Sequence, residues 1–179
     1  GDLKSGNYDA NGYARIREAI AWMKTRKFTH VYIPYFDAES IYTVTKKINN
    51  VQPLDAIIVD YFKSTGDDLD AFKTYASMGR TVDMVKNEIA GAMNIIAIGA
   101  AQATANDRLA DSAKIARNAS TIIMITDKSP EEIEEDGPDG GNRKLIVTVN
   151  RDGMQHTTGE WINVAFDGNH ISYREAKKQ

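Results

Sequence analysis

The chain has 179 residues, 42% of them hydrophobic, and a formal charge of -3, which makes it one domain, or most of one, with apolar content enough for a core. That balance excludes a protein whose whole surface grips nucleic acid, though not one with a local basic channel, and no apolar run nears the roughly 18 residues of a membrane span. The opening Gly-Asp-Leu-Lys-Ser-Gly is no secretory signal, and the lack of cysteine excludes disulfides and thiolate metal sites and agrees with a reducing cytoplasm.

Taken in order, residues 8–27 carry Tyr13, Ile16, Ile20 and Met23 at spacings of three and four, which predicts an amphipathic helix with one buried stripe. Residues 29–34 (Thr-His-Val-Tyr-Ile-Pro) read as a short strand closed by proline. A second helix over 37–49 places Ile41, Val44 and Ile48 on one face and ends at Asn49-Asn50 before Pro53. Next comes Ala56-Ile57-Ile58-Val59 followed by Asp60, a run without polar alternation that predicts a strand buried on both faces, as in parallel sheets covered by helices. Strand, helix and strand form a parallel crossover unit. In such sheets ligands bind at the carboxyl edge, where Asp60 stands; the alternative is that Asp60 caps the following turn.

A polar loop from Lys63 to Asp68 leads into a long helical region ending near Met93, with Val82, Val85, Ile89 and Ala92 as its stripe and Gly79 as an expected kink. Residues 94–100 predict another buried strand, ending in Ala101-Gln102 at the same edge as Asp60. A short segment over 106–118, with Leu109, Ala113 and Ile115 as its contacts, precedes a strand at 120–126. Residues 127–142 hold Glu131, Glu132, Glu134, Glu135, Asp136 and Asp139 among glycines and Pro138, which reads as a solvated loop. The last third changes pattern: 144–150, 161–167 and 170–174 are strands without helices between them, with Gly168-Asn169 as a two-residue hairpin turn. In the second of these, Ile162, Val164 and Phe166 are expected on the packed face and Asn163, Ala165 and Asp167 on the wet one. The expected fold class is α/β, a parallel sheet flanked by helices and extended by a C-terminal antiparallel meander. Its parts are an α/β core to about 126, an acidic loop over 127–143 and the meander over 144–174. The histidines His30, His156 and His170 stand far apart without ligand spacing and are given no chemistry.

Asp60 after one strand, Gln102 after the next and Arg151 in Asn150-Arg151-Asp152-Gly153 form an ordered set suited to nucleotide hydrolysis. A carboxylate supports a metal, an amide senses phosphate or orients water, and a guanidinium meets charge developing on a phosphoryl group. Taken singly, the glutamine reads as a surface residue and the arginine as a turn residue.

Together with Gly1-Asp2-Leu3 before the Arg15-Ile16 helix, Ile57-Ile58-Val59-Asp60-Tyr61, the Ser112, Ile115 and Ala119 stretch before Ile122-Ile123-Met124-Ile125, and Val164-Ala165-Phe166-Asp167-Gly168, the chain resembles the C-terminal RecA-like ATPase domain of DnaB-type replicative helicases from about residue 1 to 177. The resemblance implies a RecA-like P-loop NTPase core lacking its N-terminal part. Its function would be ATP hydrolysis coupled to translocation on single-stranded DNA and duplex unwinding. ATP and Mg2+ would be the cofactors, a homohexameric ring the assembly, and primase and a helicase loader further partners. Asp60 becomes the Walker B acid supporting magnesium through water, Gln102 the residue coupling phosphate state to the DNA-facing loops, and Arg151 an arginine finger offered to the next subunit. Lys63 and Arg108 become DNA-phosphate contacts, the alternative being ordinary solvated charges.

Two departures stand out. No Gly-x-x-x-x-Gly-Lys-Ser/Thr occurs, and in the family that loop and the catalytic glutamate precede the point where this sequence starts, so a fragment inactive by itself is expected. Val149 stands where the family often has a lysine two residues before the finger, leaving that role to Arg151 alone. The competing reading is a non-catalytic RecA-like assembly module on a helicase or recombinase ring. A receiver domain with Asp60 as phosphoacceptor is disfavoured, because 29–34 offers no acid and Gly99-Ala100-Ala101 no hydroxyl.

Overall fold

The computed structural model describes residues 6–34, 36–62, 71–102 and 112–177. Helix α1, Ala10–Lys24, starts at Asp9, whose carboxylate accepts the Gly12 N–H at 2.8 Å. The expected stripe is present but uncovered: Tyr13, Ile20 and Met23 are exposed and no residue of α1 is buried. Periodicity and cap are local properties and suffice for a helix, whereas burial needs a partner surface that the described residues do not supply. Residues 29–34 do not form the expected strand and run irregularly. A strand needs a ladder partner, and among the described residues β1 pairs only with β2.

Helix α2, Ala38–Val51, is capped by Asp37, which accepts the Ser40 N–H at 2.7 Å; that bond is the main reason its carboxyl is held below the ordinary aspartate value. At its far end the Asn49 side chain accepts the Leu54 N–H at 2.8 Å and turns the chain into β1, Ala56–Phe62. Helix α3, Ala71–Met84, widens into π-helical turns over Val85–Gly91. Gly79 lies buried within the unbroken helix, so the irregularity falls at Val85 instead of at the glycine. Strand β2, Ile96–Ala101, runs parallel to β1, with Ala56 opposite Ile96 and Ile58 opposite Ile98.

The core beneath this pair joins Ile41, Val59, Val85, Ile89 and Ile95, with Ile89 fully buried. Burial of such a side chain stabilises by about 1.5–3 kcal/mol. Among the described residues only one face is covered, a correction to the expectation of burial on both: Ile58, Ile96 and Ile98 are 68, 65 and 54% exposed. Two strands with their packed helices on one side leave alternate side chains facing out.

Helix α4, Ser112–Asn118, precedes β3, Thr121–Asp127. β3 was expected in the α/β core but opens the second sheet, pairing antiparallel with β4, Arg143–Asn150, followed by β5, Ile162–Asp167, and β6, Ser172–Glu175, in the order β3-β4-β5-β6. A second core of Met78, Val82, Ile115 and Ile122 ties this sheet to α3 and α4. Phe62 contacts both cores. A Cβ on Gly99 would collide with the Phe62 ring as it lies in the structure, so the glycine leaves room for that ring over β2.

The acidic segment is not wholly a loop. Pro130–Asp136 forms helix α5, started by a capping box in which Ser129 Oγ accepts the Glu132 N–H and Glu132 accepts the Ser129 N–H. The β5–β6 turn is longer than the expected two residues: Asp167 pairs with Ser172, leaving 168–171 as the loop with Ile171 at a φ of 49°. On β5, Val164 is buried as expected, but Ile162 is exposed and Asn163 is only 4% exposed. Asn163 accepts the Trp161 indole N–H at 2.7 Å, which satisfies the amide in a packed position.

Candidate functional site

Asp60 and Gln102 meet at one sheet edge because β1 and β2 are parallel, so both carboxyl ends point the same way. Val59 lies opposite Gly99 and Phe62 opposite Ala101, so three steps on β1 match two on β2. The extra residue makes a bulge at Asp60 and Tyr61, whose peptide bond is cis. A bulge takes a residue out of the ladder and re-aims its side chain. Asp60 is exposed there, and Gln102 is exposed immediately after β2.

An exposed carboxylate at this edge fits a hydrated magnesium ion, which takes one or two protein carboxylates and fills its remaining positions with water and substrate phosphates. No group of three or more metal-ligating side chains occurs among the described residues. Lys63 and Arg108, the two residues expected at DNA, lie outside the described residues.

Arg151 is not at this edge. It follows β4 in the second sheet, where its backbone N–H donates to Ser120 O at 3.0 Å, its Nε–H to Ala119 O at 3.0 Å and its terminal NH2 to Arg117 O. The guanidinium therefore sits on the carbonyls at the C-terminal end of α4, a place where positive charge is favoured. Among the described residues it forms no ion pair with Asp152 or any other carboxylate.

Side chains with no assigned role organise the opposite end of the β3–β4 ladder, where Asp127 pairs with Arg143. Lys128 is wholly buried and donates to the Asp136 carboxylate at 2.5 Å and to Gly140 O at 2.6 Å. Lys144 holds Glu132 with Nζ 2.8 and 2.9 Å from the two carboxylate oxygens, which, with the Ser129 N–H, keeps that carboxyl below the ordinary glutamate value. Ser129-Pro130-Glu131-Glu132 is the sequence signal for this arrangement, a capping box with proline at the first helical position. His156 accepts the Val147 N–H on Nδ1 at 3.1 Å; nothing in its sequence neighbourhood announces a partner nine residues away.

No protein-family model matches the chain, and no curated protein does. Solved structures do. A DnaB-like replicative helicase, described with its interactions with primase, superposes with a TM-score of 0.70 over 96% of this chain and 42% of its own, at 11% identity. A second structure, described as an ATPase domain, gives 0.72 over 98% of this chain and 65% of its own, at 12% identity. The chain thus shares its fold with a DnaB-like replicative helicase and with an ATPase domain. The chain spans less than two thirds of either structure.

Proposed function

We propose that this chain is part of an ATP-driven DNA helicase of the replicative type, in which hydrolysis at subunit boundaries of a ring, most simply a homohexamer, drives movement along single-stranded DNA in the cytoplasm. The observation that carries the reading is the placement of a bulge-borne Asp60 and of Gln102 at the carboxyl ends of two parallel neighbouring strands, in a fold matched over 96% of the chain by a DnaB-like replicative helicase and over 98% by an ATPase domain. Primase, named with the helicase structure, is the natural partner of such a ring.

In this reading Asp60 holds magnesium through water, and the ion, when bound, neutralises charge on the nucleotide phosphates. Gln102 stands between the nucleotide and the segment that follows it, so one element serves both sites. Arg151 reaches the nucleotide of the next subunit. Its present acceptors are neutral carbonyls, whereas a phosphate offers anionic oxygens that the planar guanidinium can grip with two parallel bonds. The 179 residues contain no glycine-rich phosphate loop, so the proposed site is complete only with one supplied from beyond them.

The test mixes Asp60→Ala and Arg151→Ala variants of the assembled ATPase, each inactive alone. Mixed rings contain some boundaries with both an intact acid and an intact finger, so ATPase activity partly returns. No recovery in demonstrably mixed rings rejects the finger in trans. It favours the second reading, a non-catalytic assembly module, in which Arg151 only closes the end of α4.

A further inference from the structure

Strand β4 outlasts its neighbour. β5 pairs with it only from Arg143 opposite Val164 to Leu145 opposite Ile162, while β4 continues to Asn150. Beyond Leu145, no strand among the described residues bonds the backbone groups on that side. At Val147 their place is taken by His156, whose backbone N–H donates to Val147 O at 2.9 Å while the Val147 N–H donates to His156 Nδ1 at 3.1 Å. A residue pair in an antiparallel ladder exchanges two backbone bonds; here an imidazole nitrogen takes the position of one backbone carbonyl. Both residues are half-buried, so the bond is partly shielded from competing water.

His156 marks the foot of the lobe that begins with Arg151. On the other side the lobe is closed by the Asn150 amide donating to Met154 O at 3.3 Å and the Gln155 amide donating to Asn150 O at 3.1 Å. The course of the chain from Asn150 back to the sheet is therefore set by the Asn150 and Gln155 amides and, at its return, by the backbone and imidazole bonds of His156 to Val147.

We propose that His156 is the positioning residue of the Arg151 lobe: its neutral imidazole, protonated on Nε2, pins the lobe to Val147 and so fixes where Arg151 is presented. The inference rests on the finger reading of Arg151 given above. Only the tautomer with a bare Nδ1 accepts the Val147 N–H, and a doubly protonated ring has no acceptor to offer. Without the imidazole bond the return is held at Val147 by the His156 backbone N–H alone, which loosens the registration of the lobe. A guanidinium displaced by about 1 Å from a transition-state contact lowers turnover more than it weakens ground-state binding.

The experiment compares His156→Ala with His156→Asn, whose side-chain carbonyl takes the place of Nδ1. In the 179-residue chain, hydrogen exchange at the Val147 amide is expected to quicken at least about tenfold in the alanine variant and to stay near wild type in the asparagine variant. In the assembled ATPase, His156→Ala lowers kcat on the order of tenfold with KM for ATP nearly unchanged, and His156→Asn restores it. Unchanged Val147 exchange in His156→Ala overturns the proposal, as does a kcat loss that asparagine fails to rescue. Arg151→Ala, run in parallel, separates the two ideas. Full turnover in that variant refutes the finger and this inference with it, whereas loss of turnover in Arg151→Ala but not in His156→Ala refutes the role of His156 alone.

Discussion

Replacing Lys128 by methionine isolates a lysine whose side chain is wholly buried. Methionine keeps the length and the apolar stem but removes both bonds, to Asp136 at 2.5 Å and to Gly140 O at 2.6 Å. Breaking a buried ion pair by deleting one partner costs about 3–5 kcal/mol, because the other charge is left without compensation. Asp136 keeps 23% of its side chain in water and recovers part of its solvation, so about 2–4 kcal/mol is expected. For a chain of this size each kcal/mol moves Tm by about 2–4 °C, so the midpoint falls by about 4–16 °C, a large share of the stability of a typical domain. Denaturant titration of the wild type, Lys128→Met, Asp136→Leu and the double variant gives the coupling directly. The double variant should recover at least half of the Lys128→Met loss, since neither charge then remains. A single-variant loss below about 1 kcal/mol, or a double variant worse than both singles, refutes the buried pair as the staple of the acidic segment.

Three further outcomes follow from the same geometry. Gln102→Ala in the assembled ATPase leaves nucleotide affinity nearly unchanged but removes the stimulation of hydrolysis by single-stranded DNA; retention of full stimulation and unwinding makes Gln102 a surface residue. Calorimetric titration of the 179-residue chain with Mg-ATP shows no tight binding, because Asp60 and Gln102 do not replace the backbone amides and lysine of a phosphate loop, and a micromolar Kd contradicts this. The Glu132 carboxyl is depressed in the folded state, chiefly by Lys144 and then by the Ser129 N–H, so its contribution to stability is complete above the ordinary value of 4.5 and disappears as the pH falls through the lower folded value. Glu132→Gln is therefore less stable than wild type at neutral pH and converges toward it in acid, as read from urea midpoints across that range; a constant difference at every pH refutes the assignment.

Local chemistry is what the linear sequence carried: the α1 and α2 periodicities, the apolar runs of β1 and β2, Asp60 and Gln102 at matching strand ends, and the three C-terminal strands all rest on neighbours within a few residues. The start of α5 was equally legible in Ser129-Pro130-Glu131-Glu132, although the density of acids around it reads as a solvated loop. Pairing decided the rest. Residues 29–34 have strand composition but no ladder partner among the described residues, β3 has the apolar run of a parallel strand but joins the antiparallel sheet, and Ile58, Ile96 and Ile98 sit in buried-type runs on an uncovered face. No window of sequence contains the partner that determines these outcomes. The same holds for single side chains: Arg151 on the carbonyls ending α4, Lys128 between Asp136 and Gly140, and His156 on Val147 depend on contacts made only when separate segments are folded together. Composition and periodicity determine which segments form elements. The hydrogen-bond partners of exposed edges and isolated polar groups, and hence the setting of each candidate residue, are set by tertiary structure alone.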